Sequence, residues 1–599
     1  MKTLTLAGKL ANSWYRLRSS ETVIGITLAI LVGAVAGLGA VAFRWMIRGF
    51  QWVFFKGGAT VFGFMGDYHV IILPALGGLF VGPFIYLLAR EAKGHGVPEV
   101  MAAVAAKGGR IRPRVSIVKS VASSLCIGSG GSVGREGPIV QIGSSFGSAI
   151  GQWLKLPEDW IKTLVACGAA GGISATFNAP IGGIFFAQEV ILHRFITPSF
   201  IFVALSSVIA NIVSQAFLGS SPSFTVPGYA MVSAWEIIFY ILLGIIAAFI
   251  AWLFICCLYK CEDFFDTLKL PEYIKPALGG LFIGLIGLFY PDLLGVGYGA
   301  GYSVGGVFVE HGGVDKALLG ELSLGLLLTL GLLKIAATSL TIGSGGSGGI
   351  FSPSLFIGSM LGGAFGEIIH RLFPTSTASV GAYAMVGMGA VFAGAARAPF
   401  TSFIMLFEMT RDYKIILPLI TAVVISTLIA RKLSPESIYT AKVRRLGVEL
   451  RILEERDIMK TIRVGEVMTR DFPTVPLKMS AQELLDRLER TGHHGFPVVD
   501  DEGRFCGIVT LSDVHTAMEK GDAELNDLTV NDIANKSPLV AYPDQSLHEV
   551  LLRLGAKDYG RIPVVDRNDR SRLLGVLRRH DIIKAYISRA AKSAPHSGI

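Results

Sequence analysis

Glycine-rich stretches that open helices are the residues in this chain whose type and spacing first imply chemistry. Gly128-Ser129-Gly130-Gly131-Ser132-Val133-Gly134-Arg135-Glu136-Gly137-Pro138 ends in a proline suited to a first helical turn. Gly345 to Pro353 repeats the design, and Gly94-His95-Gly96-Val97-Pro98 is a third, shorter loop. N–H groups at a helix start carry a positive partial charge of about half a unit and form a ready anion site. Three such starts converging on one point would hold an anion by dipoles alone. A buried full cation would hold a halide too firmly, whereas conduction needs binding that is favourable yet escapable. A nucleotide P-loop is excluded, because no Gly-Lys-Ser/Thr follows the glycines.

Glu136 is the outlier in this pattern. A carboxylate inside an anion-attracting loop competes with the permeant anion for the same N–H groups. Protonated, it leaves the site; ionised, it fills it. With an ordinary pKa of about 4.3, it reads as a gate that senses protons and anions together. The plainer alternative is a helix-capping acid. Arg135 beside it is either a further anion contact or a side chain reaching toward water.

Composition says what must position these loops. Of 599 residues, 51% are hydrophobic and 17% charged, against about 25% charged in an ordinary soluble domain. The deficit is uneven: residues 441–599 hold 49 of the 99 charged residues. This is a membrane body followed by a soluble tail. Mean hydropathy is +0.56. The net charge of +9 fits basic cytoplasmic ends rather than nucleic acid. Six cysteines without framework spacing exclude a disulfide scaffold.

The first apolar stretch, Val23 to Phe43, follows Lys2, Lys9, Arg16 and Arg18, which places the N-terminus in the cytoplasm. It is too long for a cleaved signal, and many similar runs follow. Long segments recur near 70–89, 199–218, 236–258, 275–291, 321–342 and 414–430. Those near 139–153, 162–175, 181–192 and 381–410 are interrupted by Gly or Pro and predict broken helices, tolerated at membrane depth only where buried or lining a cavity. Arg431, Lys432, Lys442, Arg444 and Arg445 follow the last span and put the tail in the cytoplasm as well. Compact loops favour a cell (plasma or inner) membrane.

The body repeats itself. Pro74 to Phe80 recurs letter for letter at Pro276 to Phe282, and Gly128 to Gly147 aligns without gaps on Gly343 to Gly362 with 11 identities in 20. Ala179-Pro180 with Glu189 returns as Ala398-Pro399 with Glu408. Three echoes in order mean two related halves, about 70–210 and 275–430, and matched interrupted segments point to a transport site where they meet. The tail repeats too. Phe496 to Asp500 and Gly507 to Asp513 match Ile562 to Asp566 and Gly575 to Asp581, a small α+β module used twice. The expected boundaries are a body over 1–440, a linker over 441–463 and modules at 464–519 and 528–590.

Gly94 to Pro98, Gly134 to Pro138 and Gly349-Ile350-Phe351-Ser352-Pro353 together resemble the three signature stretches of the CLC chloride channels and chloride/proton antiporters. The tail resembles a tandem CBS pair. The resemblance implies an all-α polytopic membrane protein with two inverted repeats and broken helices, plus α+β CBS domains. It implies a homodimer with one pore per subunit and a chloride held by the N–H groups of Ile350 and Phe351 and the hydroxyl of Tyr439. Gly94, His95, Gly96, Gly134, Arg135 and Gly137 are the matching loop positions. In the tail, Thr510 and Asp513 fit the family's nucleotide motif; Asp581 remains in the second copy, where Arg578 replaces the Thr. One adenine-nucleotide site and a purely structural dimerisation tail are both compatible with that pattern.

Two departures bear on mechanism. His95 stands where the family usually has Ser, and an imidazole there would bind anion, narrow the pore, add pH dependence or face the cytoplasmic vestibule. Val190 follows Glu189 where family antiporters usually carry a proton-transfer glutamate; an aliphatic side chain cannot relay a proton. Channel-like or weakly coupled chloride transport is therefore expected over strict exchange. Glu189 and Glu408 read as helix-end acids on a water-facing surface. The adjacent His493 and His494 read as a solvated turn rather than a metal site. A cation transporter would need acidic residues lining the spans, where they are sparse, and no catalytic constellation of an enzyme is visible.

Overall fold

The computed structural model describes residues 21–193, 199–224, 226–298, 302–304, 307–309, 312–412, 414–448, 459–520, 527–554 and 561–593. The basic residues Lys2, Lys9, Arg16 and Arg18 lie outside them. The chain forms two compact units, Met1–Val448 and Glu449–Ile599.

Length and apolarity sort the helices of the first unit. Six segments are long and apolar enough to cross a bilayer: Thr22–Val61, Gly63–Leu88, Phe200–Leu218, Ala234–Thr267, Leu324–Gly343 and Ile416–Leu433. The run expected to span at 275–291 is instead a helix of 15 residues, Lys275–Phe289, with Pro291 soon after its end. At 1.5 Å per residue it covers about 22 Å, short of the ~30 Å hydrocarbon layer. Two of the four segments expected to be interrupted do break. Val380–Ala396 and Pro399–Thr410 are separate helices, and Pro180–Phe186 runs into a π-helical turn at Ala187–Ile191. Two expectations are corrected: 139–153 lies inside an unbroken helix, Glu136–Trp153, and 162–175 inside another, Glu158–Phe177. Its Gly168 lets the backbone approach the Glu136–Trp153 helix, because a Cβ there would strike the Gly143 carbonyl, and the reverse holds at Gly143. Gly358 and Gly387 meet in the same reciprocal way in the second half.

The two halves touch through their own repeat mates. A Cβ on Gly78 would strike the Pro276 backbone, and one on Gly280 would strike Pro74. Low numbers meet high numbers, so the two copies of this helix cross antiparallel about a pseudo-two-fold axis. The Pro180 and Pro399 helices do likewise. Glu408 accepts the N–H groups of Ile181 (2.9 Å) and Gly182 (2.6 Å), while Glu189 accepts the N–H and hydroxyl of Thr401 (2.8 Å each) and the N–H of Phe400 (3.3 Å). The halves are therefore inverted. Glu189 and Glu408 are not the water-facing acids expected from sequence: each satisfies the orphan donors at the start of the other's helix.

The helix Thr440–Arg445 packs with the body, where Lys442 pairs with Glu262, and Arg445 bonds both carboxylate oxygens of Asp263 at 2.6 and 3.0 Å. The first unit accordingly runs to Val448 rather than ending at residue 440. In the tail, Gly495–Val499 pairs parallel with Val475–Pro476 and antiparallel with Phe505–Thr510; Arg561–Val565 pairs antiparallel with Leu573–Arg578. The alternating apolar residues of these strands feed two separate cores, one on Leu484, Phe496, Val498 and Val509, the other on Leu547, Ile562, Val564 and Leu577.

Candidate functional site

The three loops converge. Gly134 and Gly349 exchange backbone hydrogen bonds, N–H to carbonyl in both directions, at 2.8 and 2.6 Å. Gly94 donates to the Gly346 carbonyl at 3.0 Å and accepts from Gly348 at 3.2 Å. The glycines are needed for this closeness. A Cβ on Gly134 would collide with the Glu136 carboxylate, and one on Gly137 with the His95 carbonyl. Gly94 and Gly96 also have φ of +79° and +88°, backbone that glycine adopts at no steric cost.

Glu136 begins the helix Glu136–Trp153 but its side chain does not cap that helix. The residue is 2% exposed, and its carboxylate lies on the start of the other half's helix, Phe351–Leu372. One oxygen accepts the Ser352 N–H and the other the Ser352 hydroxyl, both at 2.6 Å. The N–H groups of Ile350 and Phe351, in the same first turn, meet no acceptor among the described residues. An acidic side chain thus sits on dipoles that would serve a free anion equally well.

The other residues named from sequence surround this point. Tyr439 is buried at the start of the Thr440–Arg445 helix. His95 is 1% exposed, its ring centroid 6.3 Å from that of Tyr259 and its Nδ1 without a partner. It therefore does not project into an open vestibule. Arg135 is half-buried, and its guanidinium lies over the rings of Tyr298 and Phe177, at 5.3 and 5.9 Å from their centroids. Val190 is buried in the π-helical turn.

Two lysines escaped the sequence reading. Lys119 Nζ donates to the carbonyls of Ala92 (3.0 Å) and Gly94 (2.8 Å); Lys334 Nζ donates to those of Leu293 (3.2 Å) and Gly295 (3.3 Å). Both are fully buried. The 215 residues between them equal those between Gly128 and Gly343, so they are repeat mates, and that offset was the signal available. Lys334 holds a fourth loop, Gly295-Val296-Gly297, whose glycines have φ of +63° and +86°. It is the second half's counterpart of Gly94-His95-Gly96.

In the tail, Asp513 accepts the N–H (2.8 Å) and hydroxyl (2.7 Å) of Thr510. Where the second module has Arg578, the guanidinium closes on Asp581 (2.8 and 3.0 Å) and on the Thr469 hydroxyl (2.9 Å). Partial burial would raise the Asp581 carboxyl, but its hydrogen bonds to Arg578 and the guanidinium charge outweigh that and hold it below the usual carboxylate range.

Comparison with known proteins agrees with this architecture. The family profile described as voltage gated chloride channel matches residues 77–431, and the CBS domain profile matches 464–520 and 530–588. The chain is 30% identical to chloride channel protein CLC-e of Arabidopsis thaliana over 630 residues, covering 93% of this chain and 87% of that one. It is 33% identical over 444 residues to the H(+)/Cl(−) exchange transporter ClcA of Yersinia pestis, covering 72% and 89%. Among solved structures, a slow cyanobacterial Cl−/H+ antiporter superposes with a TM-score of 0.62 at 27% identity, over 70% of this chain and 97% of that one. Inverted halves, converging glycine loops and a duplicated tail module thus occur in a chain that belongs to the CLC family of chloride channels and chloride/proton exchangers, a multi-pass membrane protein with C-terminal tandem CBS domains.

Proposed function

We propose that each subunit conducts chloride through the seat at the start of the Phe351–Leu372 helix, and that Glu136 is its gate. The observation that carries this reading is the carboxylate of Glu136 accepting both the N–H and the hydroxyl of Ser352. An anionic side chain there is a competitor for chloride: protonation removes its charge and its hold, and chloride can replace it. The amides of Ile350 and Phe351 and the hydroxyl of Tyr439 are the remaining ligands, while the loop amides of Gly94, His95, Gly96, Gly134, Arg135 and Gly137 line the approach. Channel-like or weakly proton-coupled transport follows from Val190, which offers no proton acceptor beside Glu189. A chloride/proton exchanger using another route is the second reading, favoured by the relatives that exchange the two ions.

Within the same proposal the protein is a homodimer in a cell membrane with both termini cytoplasmic. The tail takes one adenine nucleotide at Thr510 and Asp513, because Arg578 occupies the equivalent space beside Asp581. The deciding experiment is a flux ratio in proteoliposomes. Chloride driven down its gradient should move few or no protons; a fixed chloride-to-proton stoichiometry would reverse the preference between the two readings.

A further inference from the structure

A hydrogen-bonded chain enters the seat from a residue outside the three glycine loops. Tyr298, buried, follows the fourth loop directly, and its hydroxyl oxygen is 3.1 Å from Ser352 Oγ. A serine hydroxyl owns one hydrogen, and that of Ser352 is committed to Glu136 at 2.6 Å. In the Tyr298–Ser352 contact the phenol must therefore donate. The direction is fixed: Tyr298 O–H to Ser352 Oγ, then Ser352 O–H to the carboxylate. The phenol ring is held in place for this, with the Arg135 guanidinium over one face and the Phe224 ring against it at a centroid distance of 5.3 Å.

We propose that Tyr298 is a positioning residue for the anion seat: by donating to Ser352 it keeps the serine's hydrogen turned inward. It thereby sets how tightly the seat holds its occupant, the Glu136 carboxylate or, once that has left, a halide. Consecutive hydrogen bonds polarise one another, so the phenol strengthens the serine as a donor without touching the anion. The Arg135 and Lys334 side chains also interact with Glu136, and that interaction persists when the phenol hydroxyl is removed. The inference rests on the reading of Glu136 as the occupant.

The test uses the full-length protein in detergent with Glu136→Ala, which vacates the seat, and measures chloride affinity by calorimetry and bromide positions by anomalous diffraction. Adding Tyr298→Phe retains the ring beneath Arg135 and should weaken halide binding at Ser352 by about threefold to tenfold, the worth of one neutral hydrogen bond. In a Glu136→Ala/Ser352→Ala background the same change should do nothing more. Unchanged affinity at the seat, or an equal loss with Ser352 already removed, overturns the proposal. Should the Phe variant not be recovered as folded protein, Ser352→Ala in the Glu136→Ala background reads the same contact, and no loss of affinity there also overturns it. If Glu136→Ala alone takes up no halide at Ser352, it is the gate reading that fails, and this inference with it.

Discussion

The proposed gate rests on one side chain, Glu136, the only carboxylate among the described residues that bonds to the Ser352 turn. Removing it leaves the amides and hydroxyls in place with no internal competitor. Glu136→Ala is expected to conduct chloride at every external pH, whereas the parent protein should open further as external protons neutralise the acid. Chloride flux measured across external pH from about 4 to 7 separates the two; a pH response persisting in the alanine variant would refute the gate. Arg578 makes a second residue-level case. Its guanidinium fills the space beside Asp581 and Thr469, and Arg578→Thr recreates the residue that the first module carries at 510. Equilibrium binding of ATP to the full chain should rise from one per chain to two, and Asp513→Ala should remove the first.

At the scale of elements, the body is tied together by helices that end on one another. The carboxylates of Glu189 and Glu408 each satisfy donors at the first turn of the other's helix. Loss of a capping side chain costs about 1 kcal/mol, up to about 2. Glu408→Ala and Glu189→Ala are each expected to lower the melting temperature of the detergent-solubilised protein, with the double variant close to the sum because the two caps share no partner. An unchanged melting temperature in both would mean that water replaces the caps without loss. The same reciprocity holds the duplicated helices at Gly78 and Gly280 against opposite backbones. Gly280→Leu, which pushes a large side chain into the Pro74 backbone, should therefore abolish recovery of folded protein, as judged by size-exclusion chromatography.

For the whole molecule, inversion of the two halves is what brings helix starts from opposite ends of the sequence to one point. In the proposed function, dipoles from both halves would face the same anion, and no fixed cation would have to touch it. Lys119 and Lys334 fit that arrangement. They are buried amines, and both spend their hydrogens on loop carbonyls, which ties those loops in place. A molecule built this way should pass chloride in either direction. Reversing the chloride gradient in proteoliposomes should reverse the flux at similar rate, and strong rectification in the absence of any membrane potential would count against a symmetric pair of entrances.

Much of this was legible in the sequence because it is local or duplicated. The glycine loops, the prolines that open helices, the apolar runs and the copied segments announce themselves within windows of about twenty residues. Hydropathy alone separates the body from the tail. What the tertiary structure decided are contacts between residues far apart in the chain. Ser352 lies 216 positions from Glu136, and Glu408 lies 227 from Ile181. The burial of Lys119 and Lys334 could not be read from their residue type, since lysine is ordinarily exposed; only the carbonyls folded onto them make it tolerable. The unbroken Glu158–Phe177 helix shows the same division. Glycines in a row suggest a break, but a facing backbone that fills the space beside them preserves the helix, and one-dimensional periodicity carries no information about what stands opposite.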